Sequence, residues 1–248
     1  MNATLQALLD DKGALLADGA TGTNCFDMGL RAEDSPEFWN VEHPDRVARL
    51  HQEFVVAGTY ILLTNTFGGN RYRLALHQAE ERVAELNQAE AEIARAAAIA
   101  AMRPVLIAGS MGPTGEILAP LGTLQQADGE AAFFDQAVAS TAGGVDLLWL
   151  ERLSSREELQ AGLVAAERVG LPAVCTVSFD TTGATTMGVS RSDFASFVPQ
   201  IADNLVACGT NCGIGASEVV ACIKHMKKPG CARDSRGESQ LWHSALGA

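Results

Sequence analysis

A repeating pattern constrains the fold of this chain more than any other feature of its sequence. Short apolar runs alternate with amphipathic segments, and each run ends in a turn rich in glycine or polar residues. About six such runs are recognisable, near residues 14–17, 60–63, 105–108, 145–150, 172–179 and 205–210. Continuous apolar runs of this length, each followed by a helical segment, are typical of buried parallel strands joined by crossover helices. The pattern therefore predicts an α/β protein with about six βα units.

Two architectures accommodate such a pattern, a (β/α)₈ barrel and a doubly wound open sheet. In both, the carboxyl ends of the strands share one edge, and functional sites lie there. The informative polar residues of this sequence directly follow predicted strands, among them Asp18, Asn65, Glu151, Asn211 and Cys212. The pattern by itself leaves the choice between barrel and open sheet open, but it places the candidate site at the strand ends.

Composition excludes several classes of partner. A chain of 248 residues with 47% hydrophobic residues is long enough to bury a sizeable core, as one large α/β domain or two small ones. The net charge of −12 argues against nucleic acid or an anionic membrane as partner, and solubility explains the acidic balance. No apolar run reaches the roughly 18 residues that span a bilayer, and the N-terminus lacks signal-peptide features. Six cysteines without the spacing of a disulfide framework predict a cytoplasmic location.

The pattern stops near Lys228. Residues 229–248 have no apolar period, and the last eight are too few for another βα unit. We therefore predict an incomplete barrel-type domain over residues 1–228, followed by a tail over residues 229–248 without regular structure.

Five of the strand-end motifs occur together in an order and spacing that resemble a known family. The motifs are Asp18-Gly19-Ala20-Thr21-Gly22-Thr23, Thr64-Asn65-Thr66-Phe67, Ala108-Gly109-Ser110-Met111-Gly112-Pro113-Thr114, Leu148-Trp149-Leu150-Glu151 and Gly209-Thr210-Asn211-Cys212-Gly213. Over about residues 10–227 the chain resembles the homocysteine S-methyltransferases, which include betaine–homocysteine methyltransferase and the homocysteine-binding module of cobalamin-dependent methionine synthase. The resemblance implies a TIM-type (β/α)₈ barrel, here incomplete with about six βα units.

The resemblance also implies a zinc site. The family binds one Zn²⁺ through three cysteine thiolates, and Cys212 matches the first of them, which makes it the implied catalytic residue and metal ligand. The other two form an adjacent pair in a Gly-Gly-Cys-Cys motif. This sequence has no such pair, and Cys231 stands alone in a Gly-Cys-Ala context. The absent seventh and eighth units suggest the hypothesis of a truncated or frame-shifted coding sequence. Taken by itself, a lone cysteine such as Cys212 is more often a small buried hydrophobe.

For the substrate, the resemblance implies that Asp18 and Glu151 hold the amino group of homocysteine. An ion pair between Glu151 and the neighbouring Arg152 is the alternative for that carboxylate, and the family commonly has threonine where Arg152 stands. Backbone N–H groups in the turn of Gly19 and Thr21 are candidates for the substrate carboxylate.

Weaker candidates complete the predicted site. Asn65, Thr66 and Asn211 are candidates for positioning the substrate. Trp39 and Phe67 are candidates for cation–π contact with a quaternary methyl donor, with ordinary packing as the alternative for both aromatics.

The implied reaction is zinc-dependent methyl transfer to the homocysteine thiolate, giving methionine. A zinc ion with three protein ligands keeps a fourth position open for the substrate sulfur, which loses its proton there and stays nucleophilic. The sequence carries no folate or cobalamin module, which favours a small donor of the betaine or methylsulfonium type. The alternative is a catalytically inactive remnant that at most binds an amino acid through Asp18 and Glu151.

Two other functions are disfavoured, and one assembly is expected. A Schiff-base aldolase needs a lysine at a strand end, but the lysines are Lys12, Lys224, Lys227 and Lys228. A nucleotide-binding module would need phosphate-loop spacing that the Gly-rich turn at residues 18–23 lacks. Because six βα units leave two strand edges unpaired, we expect association into a homo-oligomer.

Overall fold

The computed structural model describes residues 3–212 and 215–226 and the backbone of residues 241–243. Its strands are β1 (Ile61–Leu63), β2 (Leu106–Met111), β3 (Leu147–Glu151), β4 (Ala173–Val177), β5 (Leu205–Thr210) and β6 (Leu241–His243). Its α-helices are α1 (Ala3–Lys12), α2 (Thr21–Asp27), α3 (Trp39–Glu42), α4 (Pro44–Ala57), α5 (Arg71–Ala75), α6 (Val83–Ala100), α7 (Gln126–Ala142), α8 (Arg156–Val169), α9 (Arg191–Phe197) and α10 (Ala216–Met226). Short 3₁₀ helices occupy Pro36–Phe38, Glu80–Arg82 and Val198–Gln200.

The strands form one parallel sheet in sequential order from β1 to β6. Helices connect consecutive strands, as in a (β/α) barrel. Among the strands described, β1 does not pair with β6, so the sheet is not closed. The fold is therefore α/β with the strand order of a TIM-type barrel, incomplete as predicted.

The predicted first strand is shorter than expected. Only Ala17 forms a bridge, in parallel with Ile61, and the N–H of Asp18 donates to the carbonyl oxygen of Ile61 at 2.9 Å. Helix α1 ends at Lys12 and is followed by Gly13 in a left-handed conformation, with φ 71°. Few residues are therefore left to extend before the turn that follows Asp18.

Alternation along the strands builds two apolar layers. Successive strand side chains point to opposite faces, so Leu106 and Leu147 face the inner layer while Ile107 and Leu148 face the outer one. The inner layer also receives Leu5 and Leu8 of α1, which the sequence pattern did not predict as a helix. The outer layer lies between the sheet and helices α6, α7, α8 and α10. Each fully buried leucine contributes about 1.5–3 kcal/mol relative to an exposed one.

Trp39 is buried in a small apolar cluster. The loop-like segment of residues 31–44 contains a 3₁₀ helix and α3, and it buries the indole to 5% exposure against Cys25, Val47 and Leu50. Ordinary packing, the alternative given for Trp39, describes it here, because these helical turns fold the ring back onto α4.

Part of the predicted tail belongs to the sheet. The backbone of Leu241–His243 pairs in parallel with β5. The other residues of the predicted tail, including Cys231, lie outside the described residues. Within the described ranges, no helix is both long and apolar enough to cross a membrane.

Candidate functional site

A cavity of about 450 Å³ lies at the carboxyl ends of the strands. Its walls come from the turn before α2 and from the residues that end or follow β1, β2, β3 and β5. The polar and reactive residues among them are Asp18, Thr21, Thr64, Asn65, Ser110, Glu151, Arg152, Asn211 and Cys212, and Gly19 and Phe67 complete this part of the wall. The structure thus brings residues of all five strand-end motifs together at one place.

Asp18 contributes a buried carboxylate to the cavity. It is 8% exposed, and its Oδ2 accepts a hydrogen bond from the N–H of Leu63 at 2.8 Å. Burial raises the pKa of Asp18 to about 8, and the negative charges of Glu151 and Glu90 add to the rise, against the hydrogen bond and His51. A ligand cation would favour the ionised form of this group and so bind with release of a proton.

Glu151 is the last residue of β3, and both of its carboxylate oxygens are held. The hydroxyl of Ser110 donates to Oε1 at 2.5 Å, and the amide of Asn211 donates to Oε2 at 3.0 Å. Burial raises the pKa of Glu151, while Ser110, Arg152 and Asn211 oppose the rise. The alternative of an ion pair with Arg152 is wrong, since the ion pairs of the described residues do not include these two.

Two residues at strand ends adopt the left-handed conformation, Arg152 with φ 61° and Cys212 with φ 54°. In a regular strand the side chains of Glu151 and Arg152 would point to opposite faces. Here both line the cavity, and so do Asn211 and Cys212. A non-glycine residue in this conformation costs about 1–2 kcal/mol, and such strain concentrates at functional sites.

Cys212 is the one cavity-lining thiol among the described residues. Cys175, Cys208 and Cys222 are buried in the outer layer, and Cys25 is buried in the cluster around Trp39. Partial removal from water raises the pKa of its thiol, Arg152 opposes the rise, and Glu151 adds to it. The described part of the chain contains no group of three His, Cys, Asp or Glu side chains that could hold a metal ion. These residues therefore supply one ligand of the three-thiolate zinc set that the sequence resemblance implied, and the set does not fit them.

Asn65 lines the cavity, but its side chain is already engaged. Its Nδ2 donates to the carbonyl oxygen of Pro36 at 2.8 Å and to Oδ1 of Asn40 at 2.9 Å. Its backbone N–H donates to Oε1 of the buried Glu90 at 2.8 Å. The side-chain amide of Asn65 thus holds the turn after β1 in place through contacts within the protein.

Thr66 and Trp39 do not reach the cavity. Thr66 is fully buried, and its hydroxyl bonds to Thr64 and to the carbonyl oxygen of Ser110. The guanidinium of Arg46 lies over the ring of Trp39, 4.8 Å from its centroid. Of the two predicted aromatics, only Phe67 lines the cavity.

Ser110 was not among the predicted site residues. Its place at the carboxyl end of the third predicted strand was a usable signal, because the other candidates were chosen on that ground. The His51–Glu90 pair was also missed. His51 Nε2 lies 2.6 Å from Glu90 Oε1, and both residues are buried on helices that sequence periodicity treats as ordinary outer helices.

Comparisons with known proteins agree with this geometry. A family model described as homocysteine S-methyltransferase matches residues 15–241. Two methionine synthases, from Mycobacterium leprae and Mycobacterium tuberculosis, are each 27% identical to this chain over a match that covers 86% of it. The match covers 19% of each synthase, so the chain spans about a fifth of the length of these curated relatives.

Two solved structures of the homocysteine methyltransferase MmuM from Escherichia coli share the fold. The metallated form has a TM-score of 0.78 at 25% identity, over 90% of this chain and 82% of MmuM. The oxidised form has a TM-score of 0.76 at 26% identity, over 91% and 82%. The parallel sheet, the strand-end motifs and the family match over most of the chain together show that this chain belongs to the homocysteine S-methyltransferase family.

Proposed function

We propose that this chain binds homocysteine in the strand-end cavity and acts in methyl transfer to the homocysteine sulfur, giving methionine. The observation that carries the proposal is that Asp18, Glu151 and Cys212 line one cavity in a member of this family.

The proposed role of Asp18 and Glu151 is to hold the substrate ammonium group. Both carboxyl groups are desolvated, so an ammonium ion gains more from them than from exposed acids. Ser110 and Asn211 fix the orientation of Glu151, and the N–H of Leu63 fixes that of Asp18. With the amino group held there, the substrate side chain extends toward the thiol of Cys212.

The described residues account for binding and orientation of the amino acid. From the resemblance to the family we infer that Cys212 is a zinc ligand. Among the described lining residues, Cys212 is the one thiolate that could bind the metal. Phe67 supports a small quaternary ammonium or methylsulfonium donor, because it lines the cavity and aromatic rings attract such cations. The cavity volume lies within the range of about 300–1,000 Å³ that is usual for small-molecule sites.

The second candidate function is amino-acid binding without catalysis. The single thiol among the described lining residues favours it, since losing two of three thiolates removes most of the binding free energy of zinc. A cytoplasmic location and the exclusion of nucleic-acid and membrane partners stay predictions from cysteine usage and net charge.

Homocysteine binding tests the proposal. Calorimetry under reducing conditions should show binding to the wild-type chain. Glu151→Gln should weaken it by about 10- to 100-fold, because a charge-assisted hydrogen bond contributes about 1.5–3 kcal/mol. Arg49→Asn, on the exposed face of α4, is the control that should leave binding unchanged. If the folded wild-type chain does not bind homocysteine, both candidate functions are rejected.

Zinc content separates the two candidates. The chain is purified without chelator, its zinc per folded chain is measured, and methyl transfer from betaine or a methylsulfonium amino acid is assayed. About one zinc, lost on Cys212→Ser, together with methionine formation, supports the enzyme. Homocysteine binding with neither zinc nor turnover supports the binding protein.

A further inference from the structure

The charged side chains that line the cavity form a set with both signs. Asp18 and Glu151 are acidic, and Arg152 is the one cationic side chain among the described lining residues. Homocysteine carries an ammonium group and a carboxylate. The two acids match the ammonium group, but they would repel the carboxylate of the same molecule as it enters. A cation beside them removes that repulsion.

Arg152 is available to bind a carboxylate. Its guanidinium has no hydrogen-bond or ion-pair partner in the parts of the chain that the structure describes, and the residue is exposed. An arginine fork without protein partners can donate two parallel hydrogen bonds to a carboxylate. Glu151, next to it in sequence, accepts hydrogen bonds from Ser110 and Asn211 and forms no ion pair with Arg152 among those of the described residues.

The backbone brings this side chain to the cavity. The N–H of Arg152 donates to the carbonyl oxygen of Thr176 at 2.9 Å, which ties the residue after β3 to the last paired residue of β4. At φ 61° the alternation of side chains breaks at that point, so Arg152 lines the same cavity as Glu151. Asparagine or glycine would adopt this conformation with less strain. A strained backbone that brings an arginine to a ligand site points to a role for that arginine there.

We propose that Arg152 binds the carboxylate of the amino acid substrate and thereby makes this site selective for a zwitterionic amino acid over an amine. The inference rests on the proposed function, because it assigns a further residue to the same site. Asp18 and Glu151 bind the ammonium end, Arg152 binds the carboxylate end, and the side-chain sulfur is left to face Cys212. Arg152 is thus a specificity-determining residue.

A pair of ligands tests the assignment. Homocysteine and 3-aminopropane-1-thiol both carry an amine and a thiol, but only homocysteine has a carboxylate. Their dissociation constants are measured by calorimetry for the wild type, Arg152→Asn and Arg152→Lys. Asparagine suits the left-handed backbone, so the variant is expected to fold, and far-ultraviolet circular dichroism checks this. Arg49→Asn removes the same charge away from the cavity and serves as the matched control.

We expect Arg152→Asn to weaken homocysteine binding about 10- to 100-fold, the effect of one charge-assisted contact. Binding of 3-aminopropane-1-thiol should be unchanged or tighter, since a like charge near its ammonium group is gone. Arg152→Lys should fall between the wild type and Arg152→Asn for homocysteine, because lysine keeps the charge without the fork.

Two results would overturn the assignment while leaving the proposed function intact. If Arg152→Asn binds homocysteine as the wild type does, backbone N–H groups such as those of Gly19 and Thr21 suffice for the carboxylate. If both ligands weaken equally, Arg152 only supports the shape of the site. Failure of the wild type to bind homocysteine at all would instead reject the proposed function together with this one.

Discussion

At the residue scale, the site depends on polar groups that are costly to bury. Asp18 gives up water for one backbone hydrogen bond from Leu63, and its pKa rises to about 8. Glu151 gives up water for two side-chain hydrogen bonds. Such desolvation lowers the stability of the empty protein and strengthens the attraction for a cationic ligand.

Asp18→Asn should therefore stabilise the empty protein at high pH while it weakens homocysteine binding. The folded pKa of Asp18 lies above its unfolded value of 3.8, so the folded state binds more protons between about pH 4 and 8, and its stability falls as pH rises through that window. Asparagine keeps an acceptor for Leu63 and carries no charge. We expect a gain of about 1–3 kcal/mol in the free energy of unfolding at pH 8.5 and little change near pH 4.

Urea denaturation of both proteins at pH 4.5 and 8.5 measures this gain. Glu92→Gln, on the exposed face of α6, should show no pH-dependent difference from the wild type. If the stability difference between Asp18→Asn and the wild type is the same at pH 4.5 and 8.5, the raised pKa of Asp18 is refuted.

At the scale of elements, the site depends on how closely neighbouring strand-end turns approach. After β2 the N–H of Gly112 donates to the carbonyl oxygen of Phe67, 2.9 Å away, in the turn after β1. A Cβ atom on Gly112 would lie 2.6 Å from that oxygen and from the Phe67 ring. The glycine in this motif thus lets the two turns pack side by side and keeps Phe67 at the cavity.

Gly112→Ala should push these turns apart. Overpacking of this kind costs about 1–3 kcal/mol, and the shift of Phe67 should weaken binding of a quaternary ammonium ligand such as betaine. Thermal unfolding and betaine titration measure the two effects. Gly22→Ala is the matched control, since a Cβ there meets nothing within 4 Å and a helical alanine should be neutral or stabilising. If Gly112→Ala and Gly22→Ala are equally stable, the close approach of the turns after β1 and β2 is contradicted.

At the scale of the whole molecule, the edges of the open sheet favour association of the chain with other copies. Among the strands that the structure describes, Ala17 and β1 lie at one edge and β6 at the other, and parallel edges without a further strand invite association. Leu16 lies beside the first edge with half of its surface exposed. A charged side chain there would oppose edge-to-edge contact.

We expect the 248-residue chain to form dimers or larger homo-oligomers in solution, and Leu16→Lys to shift them toward monomer. Size-exclusion chromatography with light scattering over a concentration series measures both. Leu76→Lys replaces another exposed leucine, on α5's C-terminal side, and should leave the assembly unchanged. A wild-type chain that stays monomeric at every concentration would reject the expectation.

The sequence by itself determined the βα repeat, the parallel order of the strands and the edge at which the site lies. These follow from local periodicity and from the rule that parallel strands end on one side. Asp18, Glu151 and Cys212 were identifiable because each lies at or just after the end of a predicted strand, within a motif.

Only the tertiary structure decided which neighbouring side chains reach the cavity. It brought in Ser110 and Arg152 and left out Thr66 and Trp39. It also reduced the first strand to a bridge at Ala17. The physical reason is that the direction of a side chain at a strand end depends on the backbone torsion of that residue and on contacts with residues distant in sequence. A left-handed φ turned Arg152 inward, and helical turns folded Trp39 against α4. Periodicity records neither of these.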